Sequence, residues 1–554
     1  MTLDDIKTYL LTQGADAYII TRGNMFIGQD ILPEENKIQT LTGFSGSAGN
    51  LIVFAKQKAV LLVDGRYDLQ AQREVDTEKV EVVCTRDSLG SWIHHNICNP
   101  QKFIYDAWCH SISEVDYWHR SLDWHKFIED ETGVLGSRIM KHQGEIFELG
   151  EEFSGISTEE KISYLTGFMK ENHLDGYLIC ESDSVSWLLN LRSDLIPYSK
   201  IVRAYALVDA DGQVSLFTTD FTKLSSEMNT WGGRTIGINY GRTPKQVQFI
   251  LKKTKVNLRN INNPIIDWKA IKNPIEIVGF KACHLRDGAA LCQFLSWLSD
   301  NYSNTDELGC VAKLHEIRAK TQDFCGESFA TIAGFAANGA IIHYQPDEKS
   351  NLKLTSGSIL LLDSGAHYSD GTTDVTRSIA IGKPSSEMIA VYTQVLKAHI
   401  KLSSQIFPFG TIGAQLDAIT RAELWQAHKD YAHGTGHGVG HCLNVHEGPQ
   451  SISLKNIVPL KSGMVCSIEP GYYSASNYGI RIENLALVED DETGWLKFTP
   501  LTMVPYDRNL IDKSLLTLSE ISWLNAYHQQ VFAALKDLVD EKTLQWLKGH
   551  TATL

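Results

Sequence analysis

The sequence lacks several features that would place it in a specialised class. Among 554 residues there is no run approaching the roughly 18 consecutive apolar residues of a membrane span. A basic excess is also missing, since 66 acidic residues against 51 basic ones give a formal net charge of −15. This balance argues against a phosphate-binding surface, so we expect no nucleic-acid partner. The acidic start, Met1-Thr-Leu-Asp-Asp5, is unlike a signal peptide. We therefore predict a cytoplasmic protein that does not bind membranes.

Paired or metal-binding cysteines are not indicated either. Ten cysteines are scattered from Cys84 to Cys466, with no C-x-x-C pair and no zinc-like spacing. In a large chain without an export signal, this distribution predicts reduced cysteines in the core.

What the sequence does contain is a repeated order of helical and strand patterns. A helical pattern over 2–13 precedes strand patterns at 17–21, 50–54 and 58–63, and a glycine- and glutamate-rich stretch at 144–155 follows. The same order then returns: a helical pattern at 157–172, and strand patterns ending at Ile179 and covering 204–208 and 214–217. We predict two copies of one α/β unit, residues 1–150 and 151–268.

The remaining residues, 269–554, have a different character and form a third predicted domain. A long helical pattern begins at Lys272-Asn-Pro-Ile-Glu276, with Pro274 where a first turn tolerates it. Short strands and many glycines follow. The predicted fold class is therefore α/β for the first two domains and α+β for the third.

Two aspartates flank a predicted hairpin in this third region. Asp363 ends the apolar run Ile359–Leu362, Asp370-Gly371 marks the turn, and Asp374 begins the next strand. Their side chains can therefore converge across the ladder. Taken alone, each aspartate is better explained as a turn cap.

Two glutamates and a glycine-rich histidine loop change this balance. Glu469 ends the apolar strand 464–468, and Glu483 is predicted to lie inside a strand, where a lone carboxylate is costly. Between the aspartate hairpin and these glutamates lies His433-Gly-Thr-Gly-His437-Gly-Val-Gly, whose glycines indicate tight turns or a close approach.

Four carboxylates share an interior site only if positive charge joins them. Two divalent cations supply that charge, and four carboxylates with one imidazole suit Mn²⁺ or Co²⁺ better than a structural zinc. Two such ions can hold a bridging water, lower its pKa and present hydroxide to a carbonyl. The residues alone thus predict a metal-dependent hydrolase.

The same segments resemble the creatinase/methionine aminopeptidase ("pita-bread") superfamily, and within it aminopeptidase P. The resemblance spans the chain and rests on motifs at 338–344, 363–365, 372–377, 433–440, 444–449 and 479–484 in the third region, at 42–49 and 64–67 in the first, at 187–192 in the second, and at 523–528. It implies two creatinase-N-like α/β domains, followed by a pita-bread catalytic domain with a C-terminal extension. It also implies removal of the first residue from peptides with proline at position two, with Mn²⁺ as the metal.

The resemblance further implies roles for individual residues. Asp363 would chelate one metal, Asp374 and Glu483 would bridge both, and His437 with Glu469 would complete the second metal's shell. Glu469 would also take a proton from the attacking water. On the substrate side would lie His343, His433 and His446, orienting the carbonyl and passing a proton to the proline nitrogen. Arg481 would support the ligands, two residues before Glu483 on the same predicted strand face.

Family members also dimerise through the catalytic domain. We therefore expect a homodimer, with Trp425, in a helical pattern over 416–428, as the candidate for burial at the interface.

In one place the sequence departs from the family pattern. Relatives often carry Asp-x-His-x-Ser-Glu-Tyr before the first domain's Gly-Phe-x-Gly-Ser-Ala-Gly segment, where this chain has Arg22 to Pro33 with a different sequence. The metal ligands are unaffected, but family expectations about substrate contacts from that loop do not carry over.

Four alternatives remain open. A prolidase, which cleaves Xaa-Pro dipeptides, has the same ligands, although the extra α/β domain and the C-terminal motif favour the aminopeptidase. Creatinase shares the fold without metal, and methionine aminopeptidase usually lacks two preceding domains. A non-catalytic peptide-binding module would typically have lost ligands, and this chain keeps all five.

Overall fold

The computed structural model describes residues 1–28, 30–131, 133–135, 144–218 and 222–554. These residues form two compact units. The first contains Met1–Glu148 and Ile156–Ile265, and the second contains Leu149–Gly155 and Ile266–Leu554. Of the segment that departs from the family pattern, Gln29 lies outside the described residues.

The first unit begins with a six-stranded sheet and five helices. Its strands are β1 (Ala17–Thr21), β2 (Asn50–Phe54), β3 (Ala59–Val63), β4 (Val80–Cys84), β5 (Lys102–Tyr105) and β6 (Lys126–Glu129). Its helices are α1 (Leu3–Thr12), α2 (Lys37–Thr42), α3 (Asp68–Glu74), α4 (Leu89–Asn96) and α5 (Ile112–Ser121). Helix α1 begins where the sequence predicts, because Thr2 and Asp5 form a capping box.

The next part of the chain forms a five-stranded sheet and a small two-stranded one. The strands are β7 (Ile146–Glu148), β8 (Gly176–Ile179), β9 (Leu191–Ser193), β10 (Tyr205–Asp209), β11 (Val214–Phe217), β12 (Thr235–Ile238) and β13 (Asn257–Asn260). The helices are α6 (Glu151–Ser154), α7 (Thr158–Glu171), α8 (Ser182–Leu188), α9 (Thr222–Met228), α10 (Lys245–Lys252) and α11 (Ile265–Ala270).

The two larger sheets have the same topology. The order β3-β2-β1-β5-β6 in the first corresponds to β11-β10-β8-β12-β13 in the second. In each sheet the central strand pairs antiparallel with one neighbour (β1 with β2, β8 with β10) and parallel with the other (β5, β12). The predicted duplication of one α/β unit is therefore confirmed, and the first copy has β4 as an additional edge strand.

The second unit contains α6, most of α11 and the longest described helix, α12 (Pro274–Asn301). Asn273 caps this helix by accepting hydrogen bonds from the amides of Ile275 and Glu276, and the Glu276 carboxylate accepts one from the amide of Asn273. The other helices of the unit are α13 (Glu307–Arg318), α14 (Ser386–Ser403), α15 (Gly413–Trp425), α16 (Leu518–Leu535) and α17 (Glu541–His550).

Fourteen strands complete the second unit. They are β14 (Phe324–Glu327), β15 (Ile332–Phe335), β16 (Ser358–Ser364), β17 (Ala366–Tyr368), β18 (Gly371–Thr372), β19 (Val375–Ile381), β20 (Ile406–Phe407), β21 (Gly436–His437), β22 (Ser451–Ile452), β23 (Val465–Ile468), β24 (Gly471–Ser474), β25 (Tyr478–Arg481), β26 (Asn484–Asp490) and β27 (Leu496–Pro500). The sheets β15-β16-β19 and β20-β27-β26-β23 pack against helices through buried aliphatic and aromatic side chains. Mixed α/β and α+β architecture is thus confirmed.

The cysteine prediction is confirmed only in part. Six of the ten cysteines are buried, but Cys84 and Cys98 are exposed, and Cys109 and Cys325 are half-buried. Cys84 ends edge strand β4 and Cys98 follows helix α4, so neither position faces a core. Among the described residues, no helix is both long and apolar enough to cross a membrane.

Candidate metal centre

Asp363 and Asp374 belong to the hairpin that the sequence predicts. Strands β16 and β19 pair antiparallel, with Asp363 opposite Thr376 and Ser364 opposite Val375. Asp374 is the residue before β19, so both aspartates lie at the same end of the ladder. Both side chains are buried, because the apolar runs on either side place this end of the hairpin in the interior.

Glu483 does not lie inside a strand, contrary to the prediction. Strand β25 ends at Arg481 and β26 begins at Asn484, so Glu483 lies in the break between them. The two residues therefore do not share one strand face. The break lets the Glu483 amide bond the carbonyl of Thr376 at 3.1 Å, while the Thr376 hydroxyl donates to the Glu483 carboxylate at 2.7 Å.

Arg481 contacts a different carboxylate of the site. Its Nη2 donates to Asp363 Oδ2 at 2.6 Å, and its Nε donates to the Thr376 hydroxyl at 3.2 Å. Fully buried, Arg481 is a fixed positive charge among the carboxylates. It therefore compensates part of their negative charge and holds Asp363 in place.

His437 reaches the site from the two-residue strand β21. Its amide donates to the Ser467 hydroxyl at 2.9 Å, and its backbone pairs with Ser451 on β22. The glycine before it is required by packing: a Cβ at Gly436 would lie 1.9 Å from the carbonyl oxygen of Ser467. The close approach expected of this glycine-rich loop is therefore made against strand β23.

Asp374, His437 and Glu483 form a cluster suited to a metal ion. Each offers one ligand atom, and the three atoms lie within 4.8 Å of one another. His437 Nε2 is 3.3 Å from Asp374 Oδ2 and 3.7 Å from Glu469 Oε1. Glu469, directly after β23 as predicted, therefore faces the same imidazole.

The hydrogen bond on the other side of the His437 ring identifies the role of Nε2. Nδ1 lies 3.0 Å from the carbonyl oxygen of Gly438, which can only accept a hydrogen bond, so Nδ1 carries the proton. In the neutral ring Nε2 then presents a lone pair to two carboxylates. This arrangement is unfavourable without a cation between them, and it is the usual one for a metal-ligating histidine.

Two carboxylate oxygens of the cluster also lack a hydrogen-bond donor within the described part of the chain. Asp363 Oδ1 and Glu483 Oε1 are both buried and accept no hydrogen bond. Buried carboxylate oxygens normally have donors or coordinate a metal. These residues therefore fit oxygen-liganded divalent cations.

Crowding of the carboxylates changes their ionisation in the absence of metal. Burial, with the charges of Asp363 and Glu469, raises the pKa of Asp374 well above its usual range. Burial also raises the pKa of Glu483, with the charges of Asp374 and Glu469 adding to it. The pKa of Glu469 is raised by burial too, although His437 and Arg481 act in the opposite direction. A cation is therefore needed for all of these groups to be ionised near neutral pH.

His433 lies beside this cluster, with protein groups at both ring nitrogens. Nδ1 is 2.7 Å from the carbonyl oxygen of Gly434 and therefore carries a proton, and Nε2 is 2.8 Å from the Tyr473 hydroxyl. Arg481 donates to the same hydroxyl at 2.6 Å, and when the His433 ring is neutral the Tyr473 O–H donates to its Nε2. The nearest Glu469 oxygen is 3.9 Å from Nδ1.

The other two predicted histidines are placed less directly. The His446 ring lies 4.2 Å from the His437 ring, centroid to centroid, and the two rings are nearly perpendicular. His343 is half-buried and follows Ile342, whose carbonyl oxygen is 3.4 Å from Arg481 Nη1. The His446 ring thus contacts His437 of the cluster, and the backbone next to His343 contacts Arg481.

Several side chains that contact the site were not predicted from the sequence. Tyr473 links Arg481 to His433, Thr376 bonds Glu483, and Ser467 bonds the His437 backbone. Arg377, fully buried behind them, donates to the carbonyl oxygens of Thr376 and Glu483. The signal for Tyr473 and Ser467 was their position within four residues of Glu469. Thr376 and Arg377 lie in the same motif as Asp374, at 372–377. Their place in that motif was the sequence signal that they contact the site.

Comparison with known families matches the whole length of the chain. Residues 279–490 match metallopeptidase family M24, and residues 494–554 match the C-terminal region of that family. Residues 3–129 and 138–276 each match a creatinase/prolidase N-terminal domain.

Individual relatives are similar over nearly their whole lengths. A probable Xaa-Pro aminopeptidase P of Pyricularia oryzae is 35% identical, and the match covers 99% of this chain and 98% of the relative. Xaa-Pro aminopeptidase 1 of Dictyostelium discoideum is also 35% identical, with 100% and 96% covered. The crystal structure of an X-prolyl aminopeptidase of Caenorhabditis elegans, described as a cytosolic enzyme with a di-nuclear active site, superposes with a TM-score of 0.91 at 29% identity, covering 98% of this chain and 95% of the other.

Proposed function

The chain belongs to metallopeptidase family M24, with the Xaa-Pro aminopeptidases as full-length relatives, and from that premise we propose that it removes the first residue from peptides with proline at position two. The observation that supports this most strongly is the geometry of His437. Its Nε2, the ring nitrogen that does not contact the Gly438 carbonyl, faces two carboxylates at 3.3 and 3.7 Å, beside two buried carboxylate oxygens that have no donor among the described residues.

Two divalent ions are proposed for this centre, with Mn²⁺ as the metal. Asp374 and Glu483 would be shared by the two ions, Asp363 would bind one, and His437 and Glu469 would bind the other. Four carboxylates balance the charge of two divalent ions, and the absence of thiolates favours Mn²⁺. When bound, the ions supply a nucleophilic water of lowered pKa and polarise the carbonyl of the scissile bond.

Proton transfer and substrate binding are assigned to Glu469 and to side chains around the metal ligands. Glu469 accepts the proton of the attacking water, since its carboxylate lies beside His437. Because the tertiary amide before proline has no N–H, recognition relies on the ring, and the leaving nitrogen must be protonated. We assign the substrate side to His343, His433 and His446, with His433 acting through the hydrogen bond that it shares with Tyr473.

The test is hydrolysis of Xaa-Pro-Yaa tripeptides beside Xaa-Pro dipeptides, with metal-free protein and with added Mn²⁺. We expect Mn²⁺-dependent cleavage of the tripeptides and little cleavage of the dipeptides. Cleavage confined to dipeptides would instead identify a prolidase. If neither substrate were cleaved with metal bound, a peptide-binding module would be favoured.

A homodimer in the cytoplasm completes the proposal. Trp425, the last residue of α15, is 45% exposed in the single chain, which leaves it available to a partner copy. The scattered cysteines, six of them buried, suit a reducing compartment. A monomer mass by light scattering at micromolar concentration would contradict the dimer.

The domain boundaries stay part of the proposal as well. We place them after residues 150 and 268, which gives each copy of the α/β unit one of the two larger sheets. Limited proteolysis followed by mass analysis of the stable fragments would test them.

A further inference from the structure

Three buried charged residues lie behind the histidine loop, outside the ligand cluster. Glu447 Oε2 is 3.0 Å from Lys269 Nζ, and Glu447 Oε1 is 3.2 Å from Lys272 Nζ. All three side chains are at most 2% exposed. Such a cluster is costly to bury, and apolar residues of similar volume often give equal stability. Stability alone therefore does not explain the cluster, and its position beside the histidine loop points to a role in the site.

Glu447 is joined to the metal ligand His437 through one carbonyl group. The Glu447 amide donates to the carbonyl oxygen of Gly438 at 2.8 Å, and the same oxygen lies 3.0 Å from His437 Nδ1. That hydrogen bond fixes the ring so that Nε2 faces the carboxylates. Whatever holds Glu447 therefore also holds the orientation of His437.

The carboxylate of Glu447 is held against this loop as well as its backbone. A Cβ at Gly440 would lie 2.6 Å from Glu447 Oε2, so the carboxylate occupies the space that the glycine leaves. The preceding residue, His446, packs its ring against His437. Glu447 thus contacts the histidine loop at Gly438 and Gly440, and its neighbour His446 contacts His437.

The lysines are anchored to the strand that leads to Glu469. The Lys272 amide donates to the carbonyl oxygen of Gly463 at 2.8 Å, its Nζ donates to the carbonyl oxygen of Lys269 at 2.7 Å, and Ile271 bridges Met464 beside β23. Lys272 is thus held by backbone contacts of its own; it donates a hydrogen bond to Glu447, and Lys269 adds an ion pair.

We propose that Glu447 is a positioning residue, held by Lys269 and Lys272, that sets the orientation of His437 toward metal and of His446 toward substrate. The inference rests on the proposed function, because it needs a metal at His437. It assigns a role to three charges that take no part in binding metal or peptide themselves.

The test compares Glu447→Gln with the double variant Lys269→Met/Glu447→Gln. The single variant leaves two buried ammonium groups without a carboxylate, so it is expected to lose stability. The double variant keeps the net charge of the cluster at +1, because one charge of each sign is removed, and Lys272 retains the amide oxygen as a partner. Mn²⁺ affinity is measured by calorimetry on metal-free protein, and the melting temperature is measured in EDTA.

We expect both variants to bind Mn²⁺ about tenfold more weakly than the parent, as the loss of a partner behind a metal ligand typically does. The double variant should do so with a melting temperature nearer the parent's. Lys161→Met is the matched control, because Lys161 is an equally buried lysine of α7 that bonds Trp187 and Asn190. It should lower the melting temperature without changing Mn²⁺ affinity.

Unchanged Mn²⁺ affinity in both Glu447 variants, with only the melting temperature lowered, would overturn the inference and leave a structural cluster. The parent protein separates this result from failure of the proposed function. A parent that binds Mn²⁺ and cleaves Xaa-Pro-Yaa leaves only the Glu447 role in question, whereas a parent that does neither removes the premise.

Discussion

The two aspartates reach the site from a regular ladder, whereas the histidines reach it from irregular chain. Asp363 and Asp374 stand at one end of the paired strands β16 and β19. His437 lies on a strand of two residues, and His446 lies on the loop after it. The ladder fixes the aspartates through main-chain hydrogen bonds. The loop must instead be fixed by close packing at glycines and by side-chain clusters such as the one around Glu447.

Because of this difference, we expect the two halves of the site to respond differently to substitutions. On the carboxylate side, removing a charge or its partner changes metal binding while the backbone remains in place. On the histidine side, a small increase in volume moves the backbone itself. Substitutions on the two sides should therefore differ in which property they change, activity or stability.

Asp374→Asn should have the largest effect on activity. The asparagine keeps the size of the side chain but removes a negative charge from the centre of the cluster, so the two ions are no longer balanced. We expect the rate of Xaa-Pro-Yaa cleavage to fall at least about a thousandfold, with a melting temperature in EDTA no lower than the parent's. Activity within tenfold of the parent at saturating Mn²⁺ would remove Asp374 from the ligand set.

Arg481→Met should have the next largest effect on activity. The substitution leaves Asp363 without its 2.6 Å partner and removes a donor to Tyr473. We expect about 10- to 100-fold lower Mn²⁺ affinity, measured by calorimetry. Arg286→Met is the control, because it breaks the partly exposed ion pair with Asp370 at the hairpin turn and should change the affinity less than threefold.

Gly436→Ala should act mainly on stability. The new Cβ would lie 1.9 Å from the Ser467 carbonyl, so the loop or strand β23 must move. We expect the melting temperature to fall by several degrees even in EDTA. Gly167→Ala, in α7 where nothing lies within 4 Å of the added Cβ, should raise it slightly instead. Equal melting temperatures for the two variants would show that the loop is not tightly packed.

The smallest expected effect is a pH dependence of the metal-free protein. Folding raises the pKa values of Asp374, Glu469 and Glu483, so the unfolded chain loses these protons at lower pH than the folded one. This contribution to stability is complete below the ordinary carboxylate pKa of about 4 and is lost as the pH rises through the raised values.

The metal-free melting temperature should therefore fall by a few degrees between pH 5 and pH 8. In metal-free Glu483→Gln the fall should be smaller, because one of the three titrating groups is gone. Scanning calorimetry in EDTA would measure both proteins. An equal fall in the two would show that these carboxylates do not carry the effect.

The sequence predicted the ladder side of the site better than the loop side. Strands β1, β2 and β11 have the predicted bounds, and Asp363 and Asp374 lie on the predicted hairpin. Period-two alternation and turn residues are local signals, so they identify such elements directly. The break between β25 and β26 at Glu483 has only a weak signal: the period-two spacing of Ile480 and Ile482 is interrupted before Leu485, and the prediction of one continuous strand overlooked it.

The sequence pattern also did not predict the long-range polar contacts. Nothing in the spacing of Lys269, Lys272 and Glu447 shows that 175 residues of chain return to close an ion cluster. The same holds for Arg481. It pairs with Asp363, 118 residues away in the chain, rather than with its neighbour Glu483. Such pairs depend on tertiary packing, which a pattern of residue types along the chain does not encode locally.

The most direct test of the account is a titration of Mn²⁺ into the metal-free protein, following the cleavage of a Xaa-Pro-Yaa peptide together with the bound metal. If both sides of the site hold one dinuclear centre, activity should rise to a plateau at two equivalents of Mn²⁺ per chain. A plateau at one equivalent, or metal binding that brings no cleavage at any stoichiometry, would contradict it.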